Sequence, residues 1–158
     1  MAIEIERRFL IKNNNWEEFI THKSNLIQGY LLTNSEDWII RIRSEDDRFK
    51  LTLKKYILHS SNYEFEYEIP SKDGEFILSS LQNKVVKERF YLFVNERQWT
   101  IDRFKENNYP LEIAEIELQH KNEVIQLPSF LSKEITGIQK FSNYQLSNSP
   151  FSEWEKKT

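Results

Sequence analysis

Hydrophobic and polar residues alternate one by one along most of this 158-residue chain, the pattern of strands with one apolar and one polar face. The first run covers 3–11 and is broken by Asn13-Asn14-Asn15. Residues 16–23 carry Trp16, Phe19 and Ile20 at helical spacing and predict a short helix. Strands follow at 26–32, 38–44, 49–55 and 63–69, the last stopped by Pro70. Asp73 can cap a helix over 74–81 with Phe76, Ile77, Leu78 and Leu81 as its apolar side. Strands resume at 85–94, 98–105 and 111–118, with a turn at Asn107-Asn108-Tyr109-Pro110. Pro128 opens a short helix to about residue 135, with Gly137 at its C-cap, and 144–154 is weakly helical. The connections are mostly too short for parallel crossovers. The expected fold is therefore mainly β: about eight antiparallel strands, able to close into a barrel or tunnel, with short helices outside.

The polar faces of these strands are not ordinary wet faces. Glu4, Glu6 and Arg8 share one face of the first strand, Arg41 and Arg43 one face of the third. Lys50, Thr52 and Lys54 come next, then Glu64, Glu66 and Glu68, Lys87 and Arg89, Asp102, and finally Glu115 and Glu117. Like charges two residues apart are about 6.6 Å from one another along a strand and repel. Repetition over strand after strand implies that something neutralises each cluster. Paired carboxylates are hard ligands for Mg2+, Mn2+ or Ca2+. Arg and Lys pairs match phosphate oxygens. Together they describe a site for a polyphosphate with divalent metal, lined by side chains on strands. The three glycines, Gly29, Gly74 and Gly137, form no phosphate loop.

Composition narrows the possibilities further. With 39% hydrophobic and 30% charged residues, the chain reads as one domain over 1–158. The absence of cysteine excludes disulfides, thiolate metal sites and cysteine catalysis. A net charge of −3 argues against a nucleic-acid partner. No apolar run is long enough for a membrane span, and Met1-Ala2-Ile3-Glu4 lacks a signal-peptide pattern, so a cytoplasmic location is expected. His22, His59 and His120 sit in unrelated polar contexts and read as surface residues.

Glu4-Ile5-Glu6-Arg7-Arg8-Phe9 resembles the E-x-E-x-K signature of the CYTH, or triphosphate tunnel metalloenzyme, superfamily. Arg41-Ile42-Arg43, Leu51-Thr52-Leu53-Lys54, Glu64-Phe65-Glu66-Tyr67-Glu68-Ile69, Lys87-Glu88-Arg89-Phe90, Asp102 and Ala114-Glu115-Ile116-Glu117-Leu118 continue the match in order. Lys133-Glu134-Ile135-Thr136 and the tail 148–154 resemble short bacterial members. The resemblance implies an eight-stranded antiparallel tunnel that hydrolyses a small triphosphate with Mg2+ or Mn2+, at two metal sites, inorganic tripolyphosphate being the first-ranked substrate. It implies that Arg8, Arg41, Arg43, Lys54, Lys87, Arg89 and Lys133 hold phosphates. Glu4, Glu6, Glu64, Glu66, Asp102, Glu115 and Glu117 would hold metal, and Arg8, Tyr30 and Lys87 would be catalytic. Arg8 replaces the signature lysine and cannot readily lose a proton, which argues against a proton shuttle with Tyr30. A nucleotide enzyme of the same fold (a nucleoside or thiamine triphosphatase, or a class IV adenylyl cyclase) and a non-catalytic polyphosphate-binding module are the alternatives. The oligomeric state is left open.

Overall fold

The computed structural model describes residues 3–33, 37–58 and 60–157; His59 falls outside them. The strands are β1 (Ile3–Ile11), β2 (Ile20–Leu31), β3 (Trp38–Glu45), β4 (Arg48–Leu58), β5 (Ser61–Ile69), β6 (Lys84–Val94), β7 (Arg97–Phe104), β8 (Glu112–Glu117) and β9 (Leu131–Glu134). Hydrogen bonding runs β5-β4-β3-β2-β6-β7-β8-β1, and β1 pairs back onto β5, so eight strands close into an antiparallel barrel. The closing contact is short: only Ile3–Ile5 of β1 meets β5, at Tyr63 to Ser61. The remaining edge of β1 is covered by β9, against Phe9 and Ile11.

That exposed edge explains the first correction. The segment after Pro128 is a strand, not a helix, because unpaired backbone along β1 offers it a ladder; Lys12 N–H also donates to the Phe130 carbonyl. Gly137 consequently caps no helix. It turns the chain at φ 75°, which favours glycine. The second correction lies at 16–23. Trp16 and Phe19 belong to a single 3-10 turn, Asn15–Phe19, and strand β2 starts directly at Ile20. A three-residue period brings i and i+3 to one side, which imitates the start of an α-helix. The helix α1 (Ser71–Ser80) begins behind Pro70 rather than at an Asp73 cap, and Asp73 sits in its first turn. Gly74 lets α1 press on the barrel: a Cβ there would lie 2.4 Å from the Phe49 ring. The tail forms α2 (Asn143–Asn148) and a 3-10 segment, Phe151–Lys157.

Three apolar clusters hold the barrel. Two cover its outside. Trp16, Phe90, Trp99, Ile101, Ile116 and Phe130 form one, and Ile42, Phe49 and Leu78 beneath α1 form the other. The third is internal. Leu10, Val85, Phe104 and Ile113 share strand faces with Arg8, Lys87, Asp102 and Glu115, and they pack against Ile135, Phe141 and Leu146. One end of the barrel interior is therefore apolar and sealed on the β6–β7–β8–β1 side by the C-terminal segment, while the rest is charged.

Candidate active site

Inside the barrel lies a cavity of about 1040 Å³. Alternation puts the charged faces of β1, β3, β4, β5, β6 and β8 on its wall: Glu4, Glu6, Arg8, Arg41, Arg43, Lys50, Lys54, Glu64, Glu66, Arg89, Glu115 and Glu117 all line it, with Tyr30 of β2. Three expected site residues do not. Lys133 is exposed on β9, outside the lining. Lys87 and Asp102 are buried to 1% exposure behind the wall. Glu68 is exposed and pairs with Arg48 away from the cavity.

Asp102 is the anchor of one side of the tunnel. It accepts from Arg89 Nε at 2.7 Å, from Arg89 Nη2 at 2.9 Å and from Lys87 Nζ at 2.7 Å. Burial alone would raise its pKa, but the charges of Arg89 and Lys87 hold it far below the carboxylate range. Lys87 spends a further donor on the Asn143 side chain at 2.9 Å, and burial pulls its ammonium down to about 7 despite Asp102. Next along the wall, Glu115 accepts from Arg8 Nε at 2.9 Å and lies 3.9 Å from Arg89. Arg8 also donates to the Phe141 carbonyl at 3.0 Å. Although burial works against its charge, Glu115 and Glu6 raise its pKa further, so Arg8 is a permanent cation.

The opposite side is differently balanced. Lys54 Nζ lies 3.1 Å from Glu4 and 3.0 Å from Glu64. Burial and a hydrogen bond with Glu64 push Glu4 up to about 8. Burial would raise Glu64 as well, but that hydrogen bond and the Lys54 charge hold it at about 2. Burial thus biases Glu4 towards its neutral form while Lys54 keeps Glu64 charged. Glu64 Oε2 is close to Lys54 without hydrogen-bond geometry and is left as a buried acceptor. Glu6 is raised by burial and by the charge of Glu115. Glu66 is held by Thr52 at 2.9 Å, Arg41 at 3.3 Å and Lys50 at 3.3 Å.

Two guanidinium atoms, Arg8 Nη2 and Arg41 Nε, are buried without a hydrogen-bond partner. Arg43 is drawn down to about 10 by burial and by the like charges of Arg41 and Arg89. Its Nε donates to Gln28, and Gln28 donates to the Tyr30 hydroxyl at 2.7 Å.

Several contributors escaped the sequence reasoning. Gln28 and Tyr91 share faces with Tyr30 and Arg89, so alternation could have found them; Tyr91 donates a short hydrogen bond to Glu45 at one mouth. Asn143 and the Phe141 carbonyl come from a tail with no period-two signal.

The carboxylates fit a divalent cation. They are hard oxygen donors that line one cavity, and Glu4, raised by burial, can give up a proton to a bound metal. Among the described residues no three acids converge on one preformed point. The acids come as pairs, and substrate oxygens or water would complete any metal's shell.

Comparison with known proteins agrees with this geometry. The CYTH domain family model matches residues 2–147. An inorganic triphosphatase of Acetivibrio thermocellus is 33% identical over 159 aligned positions, covering 99% of this chain and 100% of that protein. The crystal structure of the inorganic triphosphatase NE1496 superposes with a TM-score of 0.68 at 25% identity, over 93% of this chain and 95% of that one. HpAC1 from Hippeastrum, described as having a dominant triphosphatase activity, matches at 15% identity and TM-score 0.57 over 76% and 80% of the two chains, a likeness of fold. Family membership implies a divalent-metal cofactor. With a family match across nearly all of its length and the eight-stranded tunnel to house it, the chain belongs to the CYTH domain family.

Proposed function

We propose that this protein is an inorganic triphosphatase that hydrolyses a terminal phosphoanhydride of tripolyphosphate with Mg2+ or Mn2+, at two metal sites. The observation that carries the reading is one cavity whose wall sets Arg8, Arg41, Arg43, Lys54 and Arg89 beside Glu4, Glu6, Glu64, Glu66, Glu115 and Glu117. A single phosphate would leave most of those cations unmet. The similarity to the A. thermocellus inorganic triphosphatase supports the choice of substrate.

In this proposal Arg8, Arg41, Arg43, Lys54 and Arg89 grip the phosphate oxygens, with Lys50 at the margin. Their charges are fixed before substrate arrives, so little reorganisation is needed as charge shifts onto the leaving oxygen. Glu4, Glu6, Glu64, Glu66, Glu115 and Glu117 would hold the metal ions. A divalent ion bound there supplies Lewis-acid polarisation of a phosphoryl oxygen and a more nucleophilic water. Water's oxygen bonds to the terminal phosphorus, the bridging P–O bond breaks, and orthophosphate and pyrophosphate leave. Asp102 and Lys87 act behind the wall: Asp102 fixes the Arg89 fork, and Lys87 ties it to Asn143. Arg8 contributes charge and no proton transfer.

The test is phosphate release from tripolyphosphate, pyrophosphate, ATP and thiamine triphosphate with saturating Mg2+ or Mn2+. Tripolyphosphate should lead by kcat/KM. Pyrophosphate should trail strongly, because it leaves more of the cavity's cations unmet. Faster ATP hydrolysis would replace this reading with that of a nucleotide enzyme.

A further inference from the structure

Lys87 carries a charge that does not meet the cavity directly. It is buried to 1% exposure and lies outside the lining. Its ammonium donates to Asp102 at 2.7 Å and to the side-chain oxygen of Asn143 at 2.9 Å. Asn143 is half-buried at the start of α2, and it does line the cavity. Its amide is therefore the group through which Lys87 is linked to the tunnel.

The chemistry of the partner fixes which way that amide faces. An ammonium only donates, so the amide oxygen must meet Lys87 and the amide nitrogen, with its two N–H groups, must face away. Burial lowers the Lys87 pKa to about 7, yet a neutral amine would still keep two N–H groups, one for Asp102 and one for Asn143. The Asn143 nitrogen has no hydrogen-bond partner among the described residues, and it is not one of the atoms sealed from solvent. The segment that carries it is held in place. The Phe141 carbonyl accepts from Arg8 at 3.0 Å, and Phe141 and Leu146 are packed in the internal apolar cluster. Two arginines of the wall are thus bonded to this one segment, Arg8 directly and Arg89 through Asp102 and Lys87.

From this we infer that Asn143 is a further phosphate-binding residue, whose amide N–H groups donate to a phosphoryl oxygen of the substrate. The inference rests on the triphosphatase reading of the same site. An amide suits a place between a buried cation and a bound anion: its oxygen accepts from the one and its nitrogen donates to the other. The bond from Lys87 polarises the amide and strengthens its N–H donors, so part of the buried charge is felt by the phosphate without the ammonium leaving Asp102. Donors aimed at an ionised oxygen make the stronger class of hydrogen bond. A carboxylate at this position would serve Lys87 equally well, but it would turn an acceptor towards the phosphate.

The experiment measures kcat/KM for tripolyphosphate with saturating Mn2+ in the full chain, for wild type, Asn143→Asp and Asn143→Ala, with thermal melts beside the assays. The two variants divide the possible roles. Asn143→Asp keeps an acceptor for Lys87 and removes the N–H donors; Asn143→Ala removes both and adds no charge. A phosphate contact predicts that each variant loses about tenfold or more, the size of a lost hydrogen bond to a charged group. If Asn143 only positioned Lys87, the aspartate variant would keep the wild-type value and the alanine variant alone would lose. If added negative charge were the sole cause, the aspartate variant alone would lose. Either result overturns the inference, as does a wild-type value in both. Should Asn143→Ala melt below the assay temperature, Asn143→Ser, also neutral and too short to reach Lys87 and a phosphate together, is read in its place by the same criterion. All three of these contrary results leave the triphosphatase reading standing. Failure of wild type to hydrolyse tripolyphosphate overturns that reading, and the role of Asn143 with it.

Discussion

The two sides of the tunnel use the same residue types to opposite ends. On the β6–β7–β8 side the acids are matched before any ligand arrives: Asp102 takes three charge-assisted hydrogen bonds, and Glu115 holds Arg8 with Arg89 nearby. On the side formed by β3, β4, β5 and the start of β1, two acids converge on a single lysine, Lys54. Burial and the neighbouring Glu64 raise the Glu4 pKa there. A matched buried pair resists perturbation, whereas a carboxyl whose pKa is raised by burial can release its proton when a metal ion binds. The first side fixes the Arg8 and Arg89 forks against Glu115 and Asp102; the second sets Arg41, Arg43 and Lys54 beside Glu4, Glu64 and Glu66.

Substitutions should separate the two sides. The largest expected effect is on rate. Glu64→Ala should cost at least about a hundredfold in kcat/KM, as loss of a metal or transition-state charge contact does. Its metal-free melting temperature should hold, because Glu4 can then ionise to keep Lys54 paired. Wild-type turnover in that variant would remove the β5 acids from the machinery. Glu117→Ala should likewise lose at least about a hundredfold with the fold intact, whereas Glu115→Ala should lose stability too, since Arg8 and Arg89 lose their partner.

Asp102→Ala should do the reverse. Stripping two buried cations of their carboxylate should cost about 3–5 kcal/mol of folding stability, measured by denaturant unfolding. A preserved melt with abolished activity would instead place Asp102 among the metal ligands.

A smaller effect concerns pH. Glu4 is raised from 4.5 to about 8, so the folded protein binds a proton there that the unfolded chain has released. Stability from this group is present at low pH and is lost as pH rises through about 8. Glu64, depressed to about 2, contributes the opposite way, and its share is lost only in strong acid. Metal-free melting temperature should therefore fall between about pH 5 and 8, by an increment that Glu4→Gln abolishes. A slope unchanged in Glu4→Gln would refute the raised Glu4 pKa. Smallest of all, Lys133→Ala should stay within about twofold of wild type in rate, as exposed charges remote from a site contribute little. A large loss would bring β9 into the phosphate site.

Much of this architecture was legible in the sequence. Wherever one strand face is buried outside and the other is charged inside, as in Glu4-Ile5-Glu6 or Arg41-Ile42-Arg43, alternation reveals both the strand and the wall. Two things were not legible. Same-sign doublets do not say whether their neutraliser is a ligand or a facing strand; Asp102 looks like any other acid until β6 sets Lys87 and Arg89 across from it. The inner face also changes character along its length, from Arg8 to Leu10 and from Asp102 to Phe104, because the tail fills that end. A local pattern cannot announce a tail that arrives from about 130 residues away at Leu10 and about 40 at Phe104. The same non-locality hid β9, which forms because β5 covers only part of β1.

The central claim, that the interleaved carboxylates and cations of one tunnel cleave a triphosphate with a divalent metal, is tested most directly by phosphate release from tripolyphosphate. The protein is first treated with chelator and then titrated with Mn2+ or Mg2+. Activity should be absent in chelator, rise with added metal, and saturate. Turnover in the metal-free state that matches the metal-saturated rate would contradict the account.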